Sequence, residues 1–362
     1  MTEHELMAQA LALAALGQGA TRPNPMVGAL VVKDGDVVGI GYHRAAGEPH
    51  AEVVALAEAG ARASGATLVV NLEPCAHQGR TPPCVEAIRA AGIRRVLAGT
   101  GDPNPLVNGR GLAALRAASI EVEVGILEAE ARQLNAPFLS WHERGRPFVT
   151  LKAATSWDGQ IAAANGSSTW VTGELARRHA HHLRRAHDAI LVGAGTVRRD
   201  DPRLTVRLEG EETVRQVAVL APRLDLPVHA RIFAGRPEGA PRPRVYADDV
   251  KNAPALAAVA DVVRVASSAS GLDLAAVLRD LASIGVQSLL VEGGGKTHAA
   301  FLDAGLADEI VLFVAPRLFG AHGATPLLAG PAAASPDRAW ALRSMRTIAI
   351  GADLLVAARP ER

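Results

Sequence analysis

The chain is poor in aromatic residues, poor in cysteine, and has no excess of either charge. Aromatics are only 3% of its 362 residues, too few for the stacking platforms on which proteins hold splayed nucleic-acid bases. Its two cysteines, Cys75 and Cys84, cannot build a disulfide scaffold of the secreted kind. Each follows a proline, and metal binding in a reducing compartment is the better reading. A formal net charge of +1 gives no electrostatic footprint for nucleic acid or an anionic membrane. Apolar runs all fall short of the ~20 residues that span a bilayer. No basic segment precedes the first apolar run, and Thr2 and Glu5 have the spacing of a helix-opening capping box. These absences predict a cytoplasmic protein with neither nucleic acid nor membrane as partner.

What is present is a globular composition, 49% hydrophobic and 21% charged, at a length that favours two domains. The first half reads as an Ala/Leu-rich helix over 6–16, then strands over 29–33 and 36–41 around the hairpin dipeptide Asp34-Gly35. Helices over 50–59, 84–91 and 112–118 then alternate with strands over 67–72, 94–99 and 121–124. That alternation predicts an α/β layered domain. Glu143 to Pro147 is polar and turn-rich, which places a hinge near 145. Beyond it, strands over 148–153, 189–192, 288–291 and 309–315 alternate with helices over 174–187, 274–284 and 296–305, predicting a second α/β unit with its own sheet.

The chemistry concentrates between Pro49 and Cys84. His50-Ala51-Glu52 is followed by Pro74-Cys75 and then Pro83-Cys84. A His-x-Glu followed by Pro-Cys is the signature of zinc-dependent base deaminases, with the Glu shuttling protons and not binding metal. Three soft ligands leave one tetrahedral position for water. His50 and Glu52 are two apart and so do not share a helix face, which suits one ligand and one carboxylate. The bland alternative is a buried histidine with two core thiols. The combination of three motifs in one stretch argues against it. Between the cysteines lie eight residues where deaminases usually have two, and His77 and Arg80 stand in that polar loop.

In the second half, Gly193-Ala194-Gly195 lacks the third glycine of a dinucleotide fingerprint, and Gly293-Gly294-Gly295-Lys296-Thr297 is not a Walker loop. The latter still joins a strand to a helix, a place where backbone N–H groups can meet phosphate. His179 and His182 stand at i, i+3, but no third ligand joins them, and a solvated cationic face is expected. Arg184 on the same helix is the candidate for a sugar phosphate.

Several blocks together resemble the bifunctional riboflavin-biosynthesis deaminase/reductase family. In the first half they are Pro23-Asn24-Pro25-Met26-Val27-Gly28, Gly41-Tyr42-His43, Gly47-Glu48-Pro49-His50-Ala51-Glu52, the run Glu73 to Cys84, and Asp102-Pro103-Asn104-Pro105. In the second half they are Ala154 to Gly159, Ser168 to Thr172, Ala189 to Gly193 with Thr196, Asp200-Asp201-Pro202, Leu204 to Arg207 and Val291 to Gly294. The long gap between the cysteines is a mark of that family.

The resemblance implies a cytidine-deaminase-like three-layer domain over 1–145 and a dihydrofolate-reductase-like α/β domain over 146–362. It implies hydrolytic deamination of 2,5-diamino-6-(5-phosphoribosylamino)pyrimidin-4(3H)-one, then NADPH-dependent reduction of the product's ribose to ribitol. Carried over, His50, Cys75 and Cys84 hold one Zn2+ and Glu52 moves the proton. Asn24, His43, His77, Arg80, Asp102 and Asn104 line the deaminase substrate site. Ala154, Trp170, Thr196, Asp200 and the run Gly294, Gly295, Lys296, Thr297, His298, Ala299 and Ala300 contact NADPH. Lys152, Ser168, Arg184, Leu204, Arg207 and Glu292 contact the reductase substrate. A homodimer is also implied. Trp157 and Gln160 depart from the family pattern, and residues 209–270 match nothing in it. Two other readings compete: an RNA-base deaminase, disfavoured by charge and composition, and a deaminase fused to a non-catalytic nucleotide sensor.

Overall fold

The computed structural model describes residues 1–78, 82–250, 253–268 and 271–361, and it divides into two compact units, Met1–Gly145 and Arg146–Arg362. Unit 1 runs α1 (Glu3–Ala15), β1 (Gly28–Lys33), β2 (Asp36–Tyr42), α2 (Ala51–Ala59), β3 (Thr67–Leu72), α3 (Cys84–Ala90), β4 (Arg95–Thr100), α4 (Arg110–Ala117), β5 (Glu121–Val124), α5 (Glu128–Leu134) and α6 (Ala136–Arg144). Thr2 and Glu5 form the expected capping box at α1. Asp34 and Gly35 both take positive φ, 52° and 91°, which closes the β1–β2 hairpin with strand-compatible twist.

The five strands lie in the order β2-β1-β3-β4-β5. β1 is antiparallel to β2 and β3, whereas β3, β4 and β5 are parallel. Strand alternation splits the core between two faces. Leu30, Val69 and Leu97 pack with Leu6, Met7 and Ala10 of α1. Ala29, Val31, Leu68, Val70, Val96 and Ala98 pack with α2, α3 and α4 through Ala51, Ala55, Val85, Ile88 and Leu115. The unit is therefore the three-layer sandwich the resemblance implies. The α2 layer sits unusually close: a Cβ on Gly41 would stand 2.3 Å from the Ala51 carbonyl oxygen and 2.6 Å from the Ala55 nitrogen.

Unit 2 opens with β6 (Phe148–Ser156), β7 (Gln160–Ala162), α7 (Glu174–Ala186), β8 (Ala189–Gly193), α8 (Ala194–Asp200), β9 (Val206–Leu208), β10 (Glu211–Thr213), β11 (Gln216–Leu220) and β12 (Arg244–Ala247). It continues through α9 (Pro254–Val259), β13 (Asp261–Arg264), β14 (Ser267–Ser268), β15 (Gly271–Leu272), α10 (Leu274–Ser283), β16 (Ser288–Val291) and α11 (Gly295–Asp303). It closes with β17 (Glu309–Ala315), β18 (Thr325–Pro326), β19 (Ala341–Ile350) and β20 (Asp353–Glu361). Nine strands form one sheet, β13-β12-β11-β8-β16-β6-β17-β20-β19. The strands from β13 to β17 are parallel, and β20 and β19 add an antiparallel end. Ala189–Val192 and Ser288–Val291 are buried throughout, as central strands covered on both faces must be. α10 and α11 cover one face, α8 and α9 cover part of the other, and α7 packs on Val311, Phe313, Leu355 and Ala357.

Two readings need correction. The hinge is not a loop from Glu143, because α6 runs through Arg144 and only Gly145, with φ 63°, turns the chain. Charge does not break a helix whose polar face is solvated. α7 ends at Ala186, with His187 as its C-cap. Residues 209–270, to which the resemblance assigned no role, contain β11, β12 and β13, which complete one end of the large sheet.

Candidate active sites

In unit 1 the metal-ligand candidates converge. His50 is the N-cap of α2, Cys84 opens α3, and Cys75 follows the end of β3. The His50 Nδ1 lies 3.1 Å from the Cys84 Sγ and 3.6 Å from the Cys75 Sγ, and the three ligand atoms fall within 4.8 Å of one another. Zinc–sulfur and zinc–nitrogen bonds near 2.3 and 2.1 Å give a tetrahedral N···S edge of about 3.5 Å, so the donor set fits zinc. The thiols lie against each other. Cys75 is held well below the usual thiol range, first by its hydrogen bond with Cys84 and then by His50, and the Cys84 amide also donates to its sulfur at 3.4 Å.

Glu52 lines the same cavity and is 3% exposed. Burial pushes its carboxyl up, as does the nearby Cys75, and its Oε2 has no hydrogen-bond partner among the described residues. The cavity, of about 310 Å³, is also lined by Asn24, His43, His77, Asp102 and Asn104. Asn24 Nδ2 and His43 Nε2 are 3.1 Å apart, and the His43 ring meets His50 edge-on at 5.4 Å. The His77 Nδ1 is buried and unpaired among the described residues. Arg80 lies outside the described residues.

One loop of this cavity is stapled by two buried side chains that sequence reading passed over. Asn71 accepts from the Gly28 amide at 2.8 Å and donates to the Met26 carbonyl at 3.0 Å. Asn135 accepts from the Met26 amide at 2.8 Å and donates to the same carbonyl at 2.9 Å. A buried asparagine with all its bonds to backbone holds a fixed path, here the path of Asn24 and Pro25. No local signal marks either residue, since their partners are 43 to 109 positions away.

In unit 2, Lys152, Ala154, Ser168, Trp170, Arg184 and Arg207 line a second cavity of about 610 Å³. Glu292, at the end of β16, anchors it. Arg184 donates to both Glu292 oxygens at 2.7 Å and to the Thr205 carbonyl at 3.0 Å, and the Lys152 Nζ is 3.9 Å from Glu292. Burial raises the cost of the Glu292 charge, but Arg184 and Lys152 overcome it and hold its carboxyl down at about 2. Burial also lowers Lys152, against the pull of Glu292. Arg184 is therefore not part of a solvated face. His181, missed in the sequence, lines this cavity too and accepts from the Arg207 amide at 3.2 Å. Its signal was legible: it stands three before Arg184, on the same side of α7.

The two glycine motifs, weak apart, meet in space. β8 and β16 are parallel neighbours, so Gly193 and Gly293 end adjacent strands. Thr297 of α11 fills the room both glycines leave: side chains there would come within 2.9 and 2.5 Å of it. Gly195 and Gly294, by contrast, face open space, and α11 has no side-chain cap. Uncapped helix amides beside open glycines, at the carboxyl ends of parallel strands, suit a nucleotide phosphate. Thr196 and Asp200 lie on α8, beside this turn. Trp170 is 64% exposed, with the Arg177 guanidinium stacked 4.6 Å from its ring centre. Leu204 is buried in an apolar cluster and His298 is buried within α11; neither lines the described cavity. Of the two family departures, Trp157 is exposed and Gln160 is buried, donating to the Asp158 carbonyl.

Comparison with known proteins finds a family match for each unit. Residues 1–100 match the cytidine and deoxycytidylate deaminase zinc-binding region, and residues 147–356 match the RibD C-terminal domain. The riboflavin biosynthesis protein RibD of Aquifex aeolicus is 46% identical over 87% of each chain. That of Bacillus amyloliquefaciens is 41% identical over 99% of this chain and 96% of its own. Among solved structures, Acinetobacter baumannii RibD aligns over 99% of both chains with 36% identity and a TM-score of 0.86. The Thermotoga maritima diaminohydroxyphosphoribosylaminopyrimidine deaminase/5-amino-6-(5-phosphoribosylamino)uracil reductase gives 0.82 at the same identity and coverage. With the zinc-ligand geometry and the nucleotide-ready glycine turn both in place, the chain belongs to the RibD family, the bifunctional zinc-dependent deaminases and NADPH-dependent reductases of riboflavin biosynthesis.

Proposed function

We propose that unit 1 hydrolyses the 2-amino group of 2,5-diamino-6-(5-phosphoribosylamino)pyrimidin-4(3H)-one, releasing ammonia and 5-amino-6-(5-phosphoribosylamino)uracil. The observation that carries this is Glu52, a buried carboxylate with a raised pKa and a free oxygen, in one cavity with His50 and Cys75. His50, Cys75 and Cys84 hold zinc, which makes water a competent nucleophile near neutral pH. Glu52 takes the proton that water loses and returns it to the departing amine. A carboxyl whose affinity for the proton is raised by burial is matched to both transfers. Asn24, His43, His77, Asp102 and Asn104 orient the base and its ribose phosphate, with Arg80 assigned by resemblance alone.

Unit 2 then reduces the ribose of that product to ribitol. The Gly294–Ala300 segment would hold NADPH, whose chemistry when bound would be hydride transfer to C1 of the ribosylamine, with the C1–O bond breaking and the ring oxygen taking a proton. Lys152, acidified by burial and tethered by Glu292, is placed to give that proton. Arg207 and Ser168 hold the substrate phosphate, a group that a planar guanidinium suits, and Arg184, its own fork held by Glu292, lines the same site. Ala154, Trp170, Thr196, Asp200 and the Gly294–Ala300 segment receive the cofactor. We further infer a cytoplasmic homodimer, which light scattering tests directly.

The test is Glu52→Gln. Ammonia release from the diaminopyrimidine nucleotide should vanish while NADPH oxidation with supplied deaminated nucleotide stays near normal. Loss of both activities would defeat the two-site reading.

A further inference from the structure

Glu73 follows β3 directly and stands two residues before Cys75. It is 4% exposed, and both its oxygens are fully used. Oε2 accepts from the amides of Asp102 at 3.2 Å and Gly109 at 3.0 Å. Oε1 accepts from Gly111 at 2.9 Å and Leu112 at 3.3 Å. The last two open α4, whose first turn needs acceptors and favours an anion. Gly111 lies so close to this segment that a Cβ would fall 1.9 Å from the Pro74 carbonyl oxygen.

The bonds continue outward from Glu73 toward the cavity. Asp102 Oδ1 accepts from the Asn104 amide at 2.8 Å, and Asn104 Oδ1 from the Leu106 amide at 3.0 Å. Asp102, Asn104 and Val107 form one wall of the cavity that holds His50, Glu52 and Cys75. One carboxylate thus ties the segment carrying a metal ligand to the loop that supplies Asp102 and Asn104 to the same cavity. A helix cap alone would need only Gly111 and Leu112. The bonds to Asp102 and Gly109 serve the loop.

We infer that Glu73 is a positioning residue of the deaminase: it fixes the 101–109 loop so that Asp102 and Asn104 meet the nucleotide in register with the metal centre. This deepens the deaminase reading above and rests on it. Glu73→Gln keeps the shape but leaves one acceptor oxygen and sets an NH2 against amide donors. Two of the four amides then lose their partner, and a buried donor without an acceptor is strongly disfavoured. The loop should loosen while the ligands stay.

The test uses the full chain. Glu73→Gln should keep its full zinc content by metal analysis, raise the KM for the diaminopyrimidine nucleotide at least tenfold, and lower kcat less than threefold. Hydrogen exchange at the amides of 102–112 should quicken at least tenfold, with 50–56 unchanged. Faster exchange with an unmoved KM would reduce Glu73 to a helix cap and overturn the inference. Loss of zinc would overturn it too, by making Glu73 a support for the ligands. If the variant does not fold, wild type still decides: the four amides must be protected without ligand, and free exchange there refutes the staple. Wild type that releases no ammonia would sink the deaminase reading and this inference with it. Ammonia release with an unmoved Glu73→Gln KM sinks this inference alone.

Discussion

Arg184 grips Glu292 through two parallel bonds of 2.7 Å, and their side chains are only 15% and 10% exposed. Such a pair gains little net stability, but removing one partner strands the other and costs about 3–5 kcal/mol. Arg184→Met should therefore destabilise unit 2 by that amount, and adding Glu292→Gln should restore at least half. Chemical denaturation followed by tryptophan fluorescence reads this, since Trp157, Trp170 and Trp340 lie in unit 2. Additive losses would show the two residues to be independent.

His181 gives unit 2 an acid-sensitive component. Burial, then Arg184 and Arg207, lower its pKa from 6.5 to about 4, against the pull of Glu292 and a backbone bond to Thr205. Between those values the unfolded chain binds more protons than the folded one, so stability falls as pH drops from 6.5 to 4. The advantage of wild type over His181→Gln in melting temperature should shrink across that window. A constant difference would show that His181 titrates normally.

Gly41 is expected to tolerate no side chain. Its Cβ would press on the backbone of α2, at the Ala51 oxygen and the Ala55 nitrogen, and backbone yields less readily than a side-chain tip. Overpacking typically costs about 1–3 kcal/mol, so Gly41→Ala should destabilise unit 1 by that order and lower its melting temperature. Because His50 is the N-cap of α2, zinc content should fall as well. Full zinc occupancy in a stable Gly41→Ala protein would contradict the packing described.

Metal analysis of Cys84→Ser should find zinc reduced from one per chain to a small fraction. Two remaining ligands cannot complete a tetrahedral shell. NADPH oxidation with supplied deaminated nucleotide should persist. Undiminished zinc would remove Cys84 from the ligand set.

Much of this was legible because its signals are local. The hairpin at Asp34-Gly35, the cap at Thr2 and the His50, Cys75, Cys84 set are each written in short spacings. The long gap between the cysteines, odd for a generic deaminase, pointed to the right family. What stayed hidden depends on contacts remote in sequence. Glu73 finds partners 29 to 39 residues away, and Gly193 and Gly293 become one site only when β8 and β16 pair. α8 was hidden by Gly195, which lowers helix propensity yet leaves the helix start open.

The staples around the first cavity set the terms on which it meets a ligand. Asn71, Asn135 and Glu73 spend their hydrogen-bonding capacity on backbone at the moment of folding. The loops that carry Asn24, Asp102 and Asn104 are then ordered before any nucleotide arrives, and binding need not bear that entropy. A newcomer that differs in outline is refused by a mould that does not bend. Changing what this site accepts would mean recasting residues whose hydrogen bonds go to the backbone.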